Sequence, residues 1–276
     1  ALIKVTHAGI CGSDLTIVSG KHPRAKTPLI PGHEFTGTIE SLPSGHNSGL
    51  KEGRRVTVEP LLSCKQCKPC KKGYEHVCKN LKLLGVETDG GFAEYVAAPI
   101  DKVYPLPDSI SEQEGALMEP LSVAVHGYNY GQISEDDTVV IFGAGPIGLL
   151  IAQVTRAYGV SNIWLCEISP FRIKMAKDLG FDVIDTSKED PVEKIMSVTD
   201  GDGADVTFDA AGVPAVCQYI IPITGIKGRI VMTAIHKKPC EIFLRDISYR
   251  EQMIFGTRIY AEGDYKQAIQ LAADGK

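Results

Sequence analysis

TVVIFGAGPIGLLIAQVT, residues 138–155, is the stretch on which the fold turns. It is the longest uncharged run in the chain, yet short for a membrane span of about 20 apolar residues, and three glycines and a proline interrupt it. Its parts read as strand, turn and helix. TVVIF is rich in β-branched residues, Gly143, Gly145 and Gly148 stand in G-x-G-x-x-G register, and Ile147, Leu150, Ile151, Val154 and Tyr158 recur at helical spacing until Gly159. Glycines so placed admit a pyrophosphate to the amide-rich start of a helix, which makes Gly143, Gly145, Pro146, Ile147 and Gly148 the candidate cofactor loop.

The following residues repeat the unit. A second strand, NIWLCE, ends at Glu167, nineteen residues past Gly148, where a carboxylate meets the ribose hydroxyls of a dinucleotide. Ser169 and Pro170 start a helix that Gly180 ends; DVIDT, a helix from Asp190 and Pro191, ADVTFDAAG and GRIVMTAI follow. Alternation of this kind predicts an α/β, doubly wound parallel sheet. Glu167 would repel a 2'-phosphate, which favours NAD over NADP; Arg172 is the residue that would support NADP.

A chain of 276 residues is long enough for two domains, and 43% hydrophobic with 23% charged residues is ordinary for a globular protein. A net charge of -5 argues against a nucleic-acid binder. No signal peptide or membrane span is visible, so a cytoplasmic location is expected. The chain opens on ALIKVTHAGI, already an apolar alternation and without an initiator Met, so segments missing from both ends are expected.

CKQCKPCKKGYEHVC, residues 64–78, holds four of the eight cysteines. Cysteines two residues apart rarely satisfy disulfide geometry, and the other four, Cys11, Cys166, Cys217 and Cys240, are scattered through apolar segments. Four thiolates do close a tetrahedron around zinc at about 2.3 Å, leaving no position for a substrate. Cys64, Cys67, Cys70 and Cys78 are therefore expected to hold a structural zinc, with His76 as the substitute ligand. Lys65, Lys68, Lys71 and Lys72 read as a solvated face that offsets thiolate charge.

Other potential ligands lie in GICGSD (residues 9–14), PGHEFTG (31–37) and GALMEPLSVAVH (115–126). Cys11 and His33 are both of zinc-binding type, although each alone also suits a buried thiol or a turn histidine. Glu119 stands in an apolar segment, where a carboxylate needs a partner, either a salt bridge or a metal.

Together these motifs resemble the zinc-dependent medium-chain dehydrogenases, in particular the polyol branch that includes sorbitol and 2,3-butanediol dehydrogenases. The resemblance runs through nearly the whole chain, DGGFAEYV (residues 89–96) included, and EPLSV (119–123) is similar to the polyol branch. It implies a GroES-like β-rich catalytic domain, truncated at both ends, with the Rossmann sheet inserted: residues 1–121 catalytic with the zinc loop at 64–78, 122–260 NAD-binding, and 261–276 the return. It implies Cys11 and His33 as catalytic-zinc ligands, Glu119 or the neighbouring Glu34 as the third, Ser13 as the hydroxyl that bonds the substrate oxygen, and Asp14 as the carboxylate that orients the histidine. Thr16 stands where many relatives have a proton-relaying histidine, and Arg54 where an Asp is common. The implied activity is reversible, NAD-linked oxidation of a secondary alcohol to a ketone. Sugar-acid, sugar-phosphate or threonine dehydrogenases on the same scaffold are the alternatives, and a non-catalytic nucleotide sensor is disfavoured because the ligand residues are retained. A small-molecule alcohol or ketone partner and a homodimer or homotetramer through the strand near residues 253–259 are also implied. His7, His22, His46, His126 and His236 lack a partnered motif and are expected to be structural.

Overall fold

The computed structural model describes residues 1–261 and 263–276, which form two compact units: Ala1–Ser122 with Ile259–Lys276, and Val123–Arg258. The first contains β1 (Leu2–Gly9), β2 (Glu34–Ser41), β3 (Arg55–Val58), β4 (Leu61–Leu62), β5 (Lys82–Leu83), β6 (Tyr95–Ala97) and β7 (Val103–Pro105). Five of these make an antiparallel sheet in the order β6-β1-β2-β3-β7, while β4 and β5 pair separately at the two ends of the four-cysteine loop. Ile3, Phe35, Ile39, Val56, Val58, Leu84, Val96 and Val103 form its core, and each large apolar side chain so buried contributes about 1.5–3 kcal/mol relative to exposure. The last helix, Asp264–Ala273, belongs to this unit: the Tyr265 hydroxyl lies 2.7 Å from that of Thr57 and donates to the Val58 carbonyl at 3.0 Å.

The second unit carries β8 (Val139–Phe142), β9 (Ile163–Glu167), β10 (Asp182–Asp185), β11 (Ala204–Asp209), β12 (Thr224–Met232) and β13 (Met253–Gly256). All pair in parallel in the order β10-β9-β8-β11-β12-β13, which is the dinucleotide-binding order 3-2-1-4-5-6. The strands expected from the sequence are therefore present, and their helices begin and end on the expected signals. The Asp190 carboxylate accepts from the Val192 and Glu193 amides at 2.7 and 3.2 Å, and the helix Pro146–Ala157 gives way to Gly159 at φ 94°. Val140, Phe142, Ile184, Ile195, Ile220 and Ile230 fill the core.

Two local expectations fail. β12 begins four residues before GRIVMTAI, with a register irregularity against β11 and the left-handed Lys227 (φ 59°) inside the added stretch. Cys217 and Cys240, read as scattered thiols, form a disulfide across 23 residues; the helix Pro214–Ile223 and the segment after β12 meet only in the tertiary structure. No helix among the described residues is long and apolar enough to cross a membrane.

Candidate functional site

Between β4 and β5, a one-turn helix at Lys68–Lys71 and a 3-10 turn at Glu75–Val77 bring the four thiols together. Cys67 Sγ lies 3.4 Å from Cys70 Sγ and 3.8 Å from Cys78 Sγ, and Cys78 Sγ lies 3.4 Å from Cys64 Sγ; the edge of a zinc-thiolate tetrahedron is about 3.8 Å. The Cys64 and Asn80 amides both donate to Cys78 Sγ at 3.3 Å. Amides of Gln66 and Cys67 bring the Cys64 thiol down to about 6, whereas burial and then the neighbouring thiols push Cys70 up to about 12. Four crowded thiolates repel one another unless a cation sits among them, so the donor set fits zinc. His76 is buried but stands outside this donor set, and Lys65 pairs with Asp101 at 3.0 Å.

A second donor set forms where β1 and β2 pair. Cys11 precedes the helix Gly12–Val18, Glu34 opens β2 opposite Gly9, and His33 precedes it. Donor atoms of Cys11, His33 and Glu34 all lie within 4.8 Å of one another. Glycine at position 9 is what makes room: a Cβ there would stand 2.3 Å from Glu34 Oε2. Asp14, 2% exposed, accepts from the Cys11 amide at 2.8 Å and turns its other oxygen to within 3.5 Å of His33 Nδ1 without a formed hydrogen bond. A carboxylate on Nδ1 leaves Nε2 for a metal.

The charges show what this set lacks. Burial would lower His33, but Asp14, Cys11 and Glu119 outweigh it and raise the imidazole to about 11. Burial raises Glu34, offset by His33 and Cys11. Glu119, 6% exposed at the start of the helix Met118–Gly131, is pushed up to about 7 by burial, with Glu34 and Asp14 repelling it while His33 and the Tyr260 hydroxyl pull the other way. That hydroxyl stands near Glu119 without completing a hydrogen bond. Excess negative charge around one imidazole, with sulfur, nitrogen and oxygen donors converging, fits a zinc ion. Glu119 acts on His33 through space but is not part of the compact set. Ser13 Oγ is buried with no partner, and Thr16 spends its hydroxyl on the Ser13 carbonyl at 2.8 Å.

In the second unit the three glycines have three different reasons. Gly143 sits at φ 98°, and a Cβ on Gly148 would fall 1.8 Å from the Gly143 carbonyl oxygen. A Cβ on Gly145 would meet nothing within 4 Å, so the protein itself leaves open the space before the helix N-terminus that a pyrophosphate needs. Glu167 ends β9 with its carboxylate accepting from the Ala144, Ile168 and Ser169 amides at 3.0, 2.8 and 3.0 Å, and Arg172 stands 3.6 Å away. Burial raises this carboxyl, but the three amides and then Arg172 outweigh it and hold it below the usual carboxylate range.

Of the remaining sequence candidates, Arg54 donates to the Leu106 carbonyl at 3.1 Å in a surface turn, and His7 pairs with Glu112 at 3.5 Å. His236, expected to be structural, has a charged partner, Asp209, at 2.5 Å, and lies within 4.8 Å of both disulfide sulfurs. Tyr260 was not singled out as a neighbour of Glu119; the 140 residues between them carry no shared motif.

Residues 1–108 match the alcohol dehydrogenase GroES-like domain and residues 146–274 the zinc-binding dehydrogenase family. D-xylulose reductase A of Aspergillus niger is 35% identical, over 100% of this chain and 79% of its own length. A solved Sinorhizobium meliloti chain, described as a zinc-binding dehydrogenase and bound to NADP, superposes with a TM-score of 0.94 at 32% identity, covering 99% of this chain and 81% of that one. The alcohol dehydrogenase rspB of Escherichia coli, complexed with NADH, gives 0.91 at 34%, with 99% and 80% covered. The chain belongs to the zinc-binding, NAD(P)-dependent alcohol dehydrogenase family.

Proposed function

We propose that the protein catalyses the reversible oxidation of a secondary alcohol, a polyol, diol or sugar-derived alcohol, to the ketone, with NAD as cofactor and a catalytic zinc held by Cys11, His33 and Glu34. The observation that carries this reading is the convergence of those three donors, with the Ser13 hydroxyl, two residues after Cys11, buried and unpartnered. Three protein ligands leave one coordination position open, as catalytic zinc sites do. When bound, the zinc supplies Lewis acidity and the nicotinamide supplies the hydride acceptor. Asp14 holds the His33 ring, the Ser13 hydroxyl accepts a hydrogen bond from the substrate's hydroxyl, and Glu119 adds negative charge around the bound cation rather than serving as the third ligand. Cys64, Cys67, Cys70 and Cys78 hold a structural zinc, since four thiolates exclude substrate. Glu167 receives the ribose hydroxyls and repels a 2'-phosphate, which favours NAD, with Arg172 as its counter-charge. The similarity to a D-xylulose reductase supports the polyol class.

The same reading includes a homodimer or homotetramer. β13 is an edge strand of the parallel sheet with Met253 and Ile254 42% and 41% exposed, and unpaired apolar edges favour association.

A screen of NAD and NADP reduction across diols, polyols and sugar acids tests the reading, with Cys11→Ser and His33→Ala as controls. Both substitutions are expected to lower kcat at least a thousandfold while NADH still binds, measured by fluorescence titration. Wild-type turnover in either variant removes the catalytic-zinc assignment.

A further inference from the structure

The second unit holds a third cluster of metal-type donors, which the dehydrogenase reading does not use. Cys217 Sγ, Cys240 Sγ and a ring nitrogen of His236 lie within 4.8 Å of one another. Ligands of one tetrahedral zinc, at about 2.3 Å for sulfur and 2.0–2.1 Å for nitrogen, stand about 3.3–3.8 Å apart, within reach of small side-chain movements. His236 is already oriented. Its Nε2 lies 2.5 Å from Asp209 Oδ2, and Asp209, fully buried, is itself fixed by the Ala211 and Gly212 amides, each donating to Oδ1 at 2.9 Å. Nδ1 of the same ring is buried with no hydrogen-bond partner. A carboxylate on one imidazole nitrogen and a free lone pair on the other is the arrangement that metal-binding histidines adopt.

From this cluster we infer that the reduced protein binds a zinc ion through Cys217, Cys240 and His236, and that the Cys217–Cys240 disulfide is the oxidised, metal-free form of the same site. The exchange balances simply. A dithiol gives two electrons and two protons to the disulfide, whose S–S bond breaks to two thiols while the reductant closes to its own disulfide. Zinc then displaces the two thiol protons to solvent. A depression of about 1020 Å³ lined by Cys217, Cys240, Pro214 and Phe243 gives the ion its approach.

Either form ties the segment after β12 to the helix Pro214–Ile223, and through His236 and Asp209 the tie reaches the turn that follows β11. That turn packs against the cofactor loop: a Cβ on Gly143 would stand 3.2 Å from Ala211. A reducing milieu selects the dithiol and with it the zinc form.

Zinc counted per chain tests the inference. Wild type reduced with a phosphine, equilibrated with zinc and freed of loose metal is expected to hold one ion more than Cys217→Ala/Cys240→Ala treated identically. Reduced wild type should likewise hold one more than the disulfide form verified by mass spectrometry, a comparison that needs no substitution. Cobalt in place of zinc should give stronger thiolate-to-metal charge-transfer absorption in reduced wild type than in the double variant, and Asp209→Asn should weaken the extra site about tenfold. Equal metal content in reduced wild type, disulfide form and double variant overturns the inference, whatever the outcome at Cys11 and His33.

Discussion

Glu167 illustrates how much of a residue's behaviour is set by backbone rather than by sequence neighbours. Its carboxylate terminates β9 among three amide donors, which hold it below its ordinary value of 4.5. A depressed folded-state value means that the charged form stabilises the fold above the unfolded value, and that this contribution disappears as pH falls through the folded one. Thermal unfolding of wild type and Glu167→Gln should therefore differ at pH 7, with wild type higher, and the gap should shrink as pH falls below the ordinary glutamate value of 4.5. A gap that widens on acidification would reverse the assignment. Gly9 makes the complementary point at the metal site. Nothing about a glycine between Ala8 and Ile10 announces that the Glu34 carboxylate occupies the place of its missing Cβ, and only the pairing of β1 with β2 reveals it.

The strand-turn-helix element from β8 through Pro146–Ala157 was the most legible part of the chain, because each glycine meets a separate physical demand. These demands predict opposite phenotypes. Gly145→Ala adds a methyl where the protein has open space, so the melting temperature should stay within about 2 °C while NADH affinity falls at least tenfold. Gly148→Ala drives a methyl into the Gly143 carbonyl, and should lower stability by about 2 kcal/mol as well as abolish binding. Calorimetry and fluorescence titration together distinguish the two; a Gly145→Ala protein that binds NADH normally would place the pyrophosphate elsewhere. The four-cysteine element was legible for a related reason: spacing within fifteen residues limits what four thiols can do. Cys217 and Cys240 had no such local constraint, and neither they nor His236 were read as a group.

Across the whole molecule, the first unit needs residues from both ends of the described chain. Tyr265, 1% exposed, reaches back more than 200 positions to Thr57 and Val58. Tyr265→Phe should cost about 1–2 kcal/mol, a fall of roughly 2–8 °C in melting temperature, because Thr57 loses one partner and the Val58 carbonyl another. NADH affinity should not change, since Glu167 and the glycine loop lie in the other unit. A Tyr265→Phe protein as stable as wild type would show that the hydroxyl's bonds merely replace equivalent ones to water. The sequence by itself determined the alternation of strands and helices from residue 138 onward, the glycine loop, and which residue types could ligate metal, because periodicity, turn chemistry and short spacings act over a few residues. Only the tertiary structure shows that donor atoms of Cys11, His33 and Glu34 lie within 4.8 Å of one another, that Tyr260 lies near Glu119, and that Cys217 meets Cys240 and His236. Those are contacts between segments far apart along the chain, and their distances follow from how sheets register and helices pack, which no local pattern encodes.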